Sequence, residues 1–359
     1  YKLIPQKKLI LSKVISLIKS SKFVGGYEVE KFEKNFSKFT GSKYTVSLGN
    51  GTDALEIAIK SLNIKKNSEV IVPVNTWIST VEAILSNNLK VIFCDVNLDD
   101  YSICLHDLKK KINKKTKVIM PVHLYGNPTN VPEIKKIIGK KNIKIVEDCA
   151  QAHGSTINGK HVGTFGDIGI FSFFPGKNLG AFGDGGALIT NSKKIYELSL
   201  RLRNHGAKFK YDHKFSGRNS RLDTIQAAVL SIKLKNYHKV IKRRNKLARI
   251  YFKNLSEIKN IKLYKLKIKN VYSFHQFVIR VDINKRNKLI NYLKKRNIQT
   301  MIHYPYMLNE LKFFPKGKNL KKSKLLGKKI ISLPISEEHS EKDLFYISKT
   351  IKDFFLTNR

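Results

Sequence analysis

Apolar positions along this chain keep two alternating rhythms. Short apolar runs at 44–48, 70–72, 91–93, 118–120 and 143–146 read as strands. Between them, apolar residues recur at helical spacing and predict helices from Asn50 through Ile59 and over 76–85, 105–112 and 131–138. Strands that alternate with helices imply βαβ units and a mostly parallel sheet. Ahead of this unit, residues 7–19 and 27–39 predict amphipathic helices, separated by Phe23-Val24-Gly25-Gly26, whose glycines suit a tight turn. Between 166 and 190 the helical pattern stops and three short strand-like runs are expected. A helix over 192–203 follows, then a polar, aperiodic loop from His205 to Arg221 that is long enough to be functional. Residues 222–255 predict one long helix, or two in line. Beyond it, strands at 272–281 and 299–303 and helices at 285–295 and 341–355 predict a smaller α+β unit. The expected organisation is a large α/β domain over 1–240, with 1–25 as an N-terminal arm, and a small C-terminal domain over 241–359.

Composition changes the picture little. The 359 residues, 42% of them hydrophobic, support a sizeable core. A formal charge of +42, from 69 Lys+Arg against 27 Asp+Glu, taken alone suggests a nucleic-acid or membrane partner. The basic residues are mostly lysines, however, spread over every predicted helix, as in Lys109-Lys110-Lys111 and Lys321-Lys322. This is the pattern of solvated helix faces rather than of an Arg-rich phosphate-reading patch, so neither partner is expected. Cys94, Cys104 and Cys149 lack metal or disulfide-framework spacing, and no metal is expected. No signal peptide or membrane span is evident, so the expected compartment is the cytoplasm.

Chemistry concentrates at predicted strand ends. The aromatic run Phe171-Ser172-Phe173-Phe174 ends at Pro175-Gly176, delivers Lys177, and continues through Asn178-Leu179-Gly180-Ala181-Phe182-Gly183-Asp184-Gly185-Gly186. A lysine held in an apolar pocket loses hydration, its pKa falls, and it becomes a nucleophilic amine suited to a Schiff base. Taken alone, the stretch also reads as a surface turn. Gly49-Asn50-Gly51-Thr52-Asp53-Ala54 follows a strand and opens a helix, a place for a phosphate, though equally an ordinary capped N-terminus. The next strand lacks the acidic end that a dinucleotide site needs. Glu147-Asp148 closes a strand expected to be buried, where a carboxylate needs a cationic partner such as a protonated pyridine nitrogen, or else caps a turn. Trp77, the only tryptophan, stands at another strand-to-helix junction, as a stacking surface or as core. In open α/β sheets such strand ends converge on one crevice.

These motifs, with Pro121-Val122-His123-Leu124-Tyr125-Gly126, Glu147 to Gly154, Asn219-Ser220-Arg221-Leu222-Asp223 and His303-Tyr304-Pro305, resemble the DegT/StrS-type sugar aminotransferases. These are fold-type I enzymes dependent on pyridoxal 5′-phosphate (PLP). The resemblance runs from about Phe23 to Pro334. It implies that Lys177 forms the Schiff base and shuttles protons, that Asp148 holds the pyridinium, and that Trp77 stacks on the ring. Gly51, Thr52 and Ser172 would bind phosphate, and Gln151 would contact the cofactor near its O3′. Asn219 would reach the partner's site in a homodimer. Phe23, Val24, His303 and Tyr304 are substrate-side candidates, with a structural junction as the competing reading, and no arginine stands out as the glutamate clamp. The implied reaction passes an amino group from L-glutamate, through pyridoxamine phosphate, to a nucleotide-linked keto-sugar in amino-sugar biosynthesis. The form Pro-Gly-Lys-Asn-Leu-Gly resembles members acting at C3 of dTDP-linked 3-keto-6-deoxyhexoses, or on UDP-linked 3-keto amino-uronic acids, more than the 4-keto enzymes. Sugar deoxygenation would replace the lysine with histidine.

Overall fold

The computed structural model describes residues 6–357; residues 1–5 of the expected N-terminal arm and residues 358–359 lie outside them. The first half alternates as the hydrophobic pattern requires: α1 (Lys7–Lys19), α2 (Tyr27–Thr40), β1 (Tyr44–Leu48), α3 (Gly51–Ser61), β2 (Glu69–Pro73), α4 (Ile78–Ser86), β3 (Lys90–Cys94), α5 (Leu105–Lys111), β4 (Thr116–Ile119), α6 (Val131–Ile138) and β5 (Lys144–Asp148). A small hairpin, β6 (Thr156–Ile157) and β7 (Lys160–His161), precedes β8 (Ile168–Ser172) and β9 (Gly186–Thr190). Then come α7 (Lys193–Leu202), α8 (Thr224–Leu234), α9 (Tyr237–Leu255), β10 (Ile261–Lys262), β11 (Asn270–Val271), β12 (Phe277–Val281), α10 (Ile283–Lys294), β13 (Ile330–Leu333) and α11 (Glu341–Thr357).

The main sheet has the order β1-β9-β8-β5-β4-β2-β3. Only β9 runs against the rest, pairing antiparallel with both β1 and β8. Its central strands are β-branched runs buried on both faces, as a sheet covered by helices on each side demands. Two three-stranded sheets, β10-β12-β13 and β11-β6-β7, complete the fold. Asn50 begins α3 by accepting a hydrogen bond from Asp53 N–H at 2.8 Å, and Gly41 ends α2 in the left-handed conformation.

The 222–255 stretch takes the second of its two expected forms, two helices that meet at Lys235–Asn236. Three expectations are corrected. The expected strand 272–281 is regular only over Phe277–Val281, because Ser273 N–H is taken by Ser155 Oγ and Gln276 N–H by Tyr125 O. Residues 299–303 make a single bridge, Met301 to Ser332, rather than a strand. The 166–190 region holds two strands, since its glycine-rich centre is a loop. The 240/241 division falls inside α9, whose Arg243 and Arg244 form ion pairs with Glu341 and Glu337. Among the described residues, no helix is long and apolar enough to cross a membrane.

Candidate active site

The parallel strands all point their C-terminal ends to one edge of the sheet, and the singled-out residues gather there. Asp148 ends β5 and Ser172 ends the neighbouring β8. Strand alternation turns consecutive residues to opposite faces, so Glu147 and Asp148 have different fates. Glu147 is fully buried away from the cleft and accepts from His123 Nε2 (3.0 Å), Gly163 N–H (2.8 Å), Phe165 N–H (2.8 Å) and Gly166 N–H. His123 Nδ1 accepts from Thr129 N–H at 3.0 Å, which fixes its proton on Nε2. These donors hold the Glu147 carboxyl below its usual range despite burial. Cys149 lies close to this pair and is buried.

Asp148 accepts two neutral donors, Thr80 Oγ1 to Oδ2 at 2.9 Å and Ala150 N–H to Oδ1 at 3.1 Å. Burial therefore raises its pKa, opposed by these bonds and by the field of Lys177. Lys177 is affected in the mirror sense, its pKa lowered by desolvation and partly restored by Asp148. A buried acid and a half-buried amine, each disfavoured in its charged form, lie within each other's field, which suits a cationic ring nitrogen and a nucleophilic amine.

The cup expected at Gly51 and Thr52 forms where three backbones meet. A Cβ on Gly51 would lie 2.7 Å from Ser172 Cβ, and one on Gly186 would lie 2.2 Å from Asn50 O. Only glycine allows the α3 N-terminus to lie across the start of β9 and reach Ser172. Asn50 takes the N–H groups of Asp53 and Ala54, which leaves those of Gly51 and Thr52 at the helix start as the donors for a phosphate cradle beside Ser172. Thr52 Oγ1 bonds Ser79 Oγ at 2.9 Å. Ser220 Oγ accepts from Gly49 N–H at 3.0 Å, which brings the 205–221 loop to the rim of the cradle. Asn219, next to it, is exposed.

Trp77 precedes α4 and is 57% exposed, with its ring 5.5 Å from that of Tyr304. Gln151 is buried; its Oε1 accepts Tyr125 N–H at 2.7 Å and its Nε2 donates to Tyr304 Oη at 3.1 Å. Tyr125 Oη in turn donates to His303 O. His303 Nδ1 meets Ser332 Oγ at 2.8 Å, and burial with the nearby Lys177 charge pushes its pKa down to about 4. Thus Trp77, Gln151, His303 and Tyr304 form one connected wall. Phe23 and Val24 are joined instead to the start of α8: Thr224 N–H donates to Phe23 O, Val24 bridges Asp223, and both side chains are exposed.

Sequence reasoning missed Thr80, Tyr125, Asn178 and His275 as parts of the site. Asn178 was adjacent to the lysine and carried a signal; the other three reach the site only through tertiary contacts.

Fold and site together define the fold-type I, PLP-dependent aminotransferase class. The side chains present fit that cofactor: a cradle for phosphate, a flat exposed aromatic, a buried acid whose pKa is raised by burial, and a lysine of depressed pKa. Within the class, the chain belongs to the DegT/DnrJ/EryC1/StrS aminotransferase family, which it matches over residues 5–352. It is 39% identical, over 94% of this chain and 93% of the relative, to dTDP-3-amino-3,6-dideoxy-alpha-D-galactopyranose transaminase of Aneurinibacillus thermoaerophilus. To the UDP-N-acetyl-3-dehydro-alpha-D-glucosamine 3-aminotransferase of Acidithiobacillus ferrooxidans it is 34% identical, over 97% and 94% of the two chains. The crystal structure of S. venezuelae DesV in complex with a ketimine intermediate superposes with a TM-score of 0.94 at 31% identity, covering 98% of this chain and 95% of that one.

Proposed function

We propose that this chain is a nucleotide-sugar aminotransferase that carries the amino group of L-glutamate to C3 of a nucleotide-linked keto-sugar, with a dTDP-linked 3-keto-6-deoxyhexose as its preferred acceptor. The observation that carries the reading is the placement of Asp148 at the end of β5 and of Lys177 in the loop that leaves the neighbouring β8, each within the other's electrostatic field, beside the junction of Gly51 with Ser172. The C3 position is favoured by the Lys177-Asn178-Leu179-Gly180 motif and by two relatives whose names both place the amino group at C3, one on a dTDP sugar and one on a UDP sugar. A UDP-linked acceptor is therefore the second reading.

In this reading Gly51, Thr52 and Ser172 hold the phosphate, Trp77 stacks on the ring, and Asp148 keeps the proton on the ring nitrogen. PLP bound there supplies a carbonyl carbon that carries the amino group and a ring that takes up the electron pair released at the reacting carbon. Lys177 would hold that carbonyl carbon in the resting enzyme, and its neutral Nζ, when free, would take the proton from glutamate Cα and supply one to the sugar carbon. Gln151 would contact the cofactor near O3′. His303 and Tyr304 line the sugar side, and Phe23 and Val24 its outer rim. Asn219 of the partner subunit completes the phosphate site in a homodimer. The domain division at 240/241 is part of the same proposal.

The test loads the enzyme with amino groups from glutamate, removes the glutamate, and follows the return of the resting absorbance on addition of defined keto-sugars. Return with a dTDP-linked 3-keto-6-deoxyhexose supports the assignment. Return only with a UDP-linked or a 4-keto sugar replaces the acceptor, and no return with any sugar removes the function.

A further inference from the structure

The loop that carries Lys177 is held on the α8 side by Phe182 N–H to Gln226 Oε1 at 2.7 Å and by Lys233 Nζ to Gly180 O at 2.5 Å. Gly176, Gly180, Gly183 and Gly185 surround the lysine, and a Cβ on Gly180 would fall 2.5 Å from Pro175 O. Backbone bonds secure its stem: Phe173 N–H to Gly185 O at 2.7 Å, Ala181 N–H to Phe173 O at 2.8 Å, and Lys177 N–H to Phe174 O at 2.8 Å. None of these ties the loop to the opposite wall. Asn178 does so. Its side chain is buried, its Nδ2 donates to Ser273 O at 2.8 Å, and its Oδ1 lies 3.0 Å from His275 Nδ1.

The geometry assigns the proton. Because Nδ2 is committed to a carbonyl, the amide oxygen faces the imidazole, and His275 must donate from Nδ1. Its Nε2 is then the unprotonated nitrogen. Burial and the neighbouring Lys177, Arg244, His153 and His303 hold His275 well below its usual range, which keeps this neutral tautomer. The clip's far side is itself fixed. Ser273 Oγ donates to Gln151 O at 3.0 Å, and the buried Arg244 donates to Phe274 O at 2.8 Å while pairing with Glu337.

We propose that Asn178 and His275 act together as positioning residues for Lys177, so that its amine returns to the same place against the cofactor after each half-reaction. This rests on the reading of Lys177 as the attachment point. A positioned intramolecular amine competes with dissolved amines through its effective concentration, and a loosened loop lowers that concentration.

The test titrates the resting, cofactor-loaded enzyme with methylamine and reads the absorbance. The incoming nitrogen replaces lysine on the carbonyl carbon, and the proton it loses passes to the lysine nitrogen. The methylamine midpoint falls about tenfold in Asn178→Ala and similarly in His275→Phe, as expected of an intramolecular nucleophile released from its alignment. The double variant is no lower than Asn178→Ala, because that variant already removes the His275 contact along with the Ser273 one. His275→Gln, which keeps an N–H donor, retains the native midpoint; should Asn178→Ala not fold, the two His275 variants carry the test. Midpoints within twofold of native, multiplying single effects, or a His275→Gln as weak as His275→Phe overturn the clip. A Lys177→Ala enzyme that keeps the native resting absorbance overturns the attachment itself.

Discussion

Replacing Asp148 by asparagine separates the site's chemistry from its folding. In the native chain Oδ1 accepts Ala150 N–H, and Oδ2 accepts the hydroxyl of Thr80, which also lies 2.9 Å from Thr76 Oγ1. An asparagine of the same shape keeps both bonds: its oxygen accepts Ala150 N–H, its amide donates to Thr80, and Thr80 turns its hydroxyl to Thr76. The fold loses nothing, but the cofactor's ring-nitrogen proton loses its anion in a buried place. Breaking one partner of a buried ion pair costs about 3–5 kcal/mol, which is roughly 10²- to 10³-fold or more in rate where the charge is needed in the transition state. Stopped-flow absorbance of the glutamate half-reaction should show that loss. The apo-protein moves the other way. Burial raises the Asp148 pKa in the folded state, so its charged form destabilises the apo-fold above that pKa, and the penalty vanishes as pH falls below the unfolded value. Apo Asp148→Asn should melt at or above the native temperature at pH 7, with the difference shrinking toward acid pH. A native-like half-reaction, or an apo-variant clearly less stable at neutral pH, would refute the assignment of Asp148 as counter-ion.

Gly51→Ala places a methyl 2.7 Å from Ser172 Cβ, so PLP affinity, measured by fluorescence titration, should fall at least tenfold while the circular dichroism spectrum is retained. Because His303 is neutral down to about pH 4, kcat/KM for the sugar should show no acid limb near 6.5 that His303→Asn abolishes; finding one sinks the neutral assignment. Glu147→Ala orphans three backbone donors and the His123 N–H and should cost about 3–5 kcal/mol in denaturant unfolding. Since the folded Glu147 pKa is lowered, the native stability from this carboxylate is complete above the unfolded value near 4.3 and is lost as pH falls through the folded one, so native and variant should converge in acid.

The sheet and its edge were legible because β1, α6 and the neighbouring elements are short, strongly periodic and locally capped. The same holds for Asp148, a carboxylate at a buried strand end, and for Lys177 and Gly51, which stand just past strand ends in glycine-rich runs. What was hidden depends on distant partners. Nothing local in Tyr272-Ser273-Phe274-His275 says that its N–H groups will serve the Ser155 and Tyr125 loops instead of a sheet. Likewise Glu147 and Asp148 are both carboxylates at one strand end, and only the pleat, with the 163–166 loop behind it, decides which faces the cleft. Tyr304 reaches Trp77 and Gln151 across more than 150 residues of chain, a distance no periodicity encodes.

The hairpin of β8 and β9 leaves and re-enters the sheet through one paired rung, Ser172 opposite Gly186. Residues 173–185 therefore hang from the scaffold as a cassette whose two ends are already joined. Lengthening or shortening it moves the amine without shifting the register of any strand. Reach of the nucleophile and integrity of the fold are, in this architecture, separately adjustable quantities, and transplanting that segment between relatives is the natural route to altering the one while leaving the other alone.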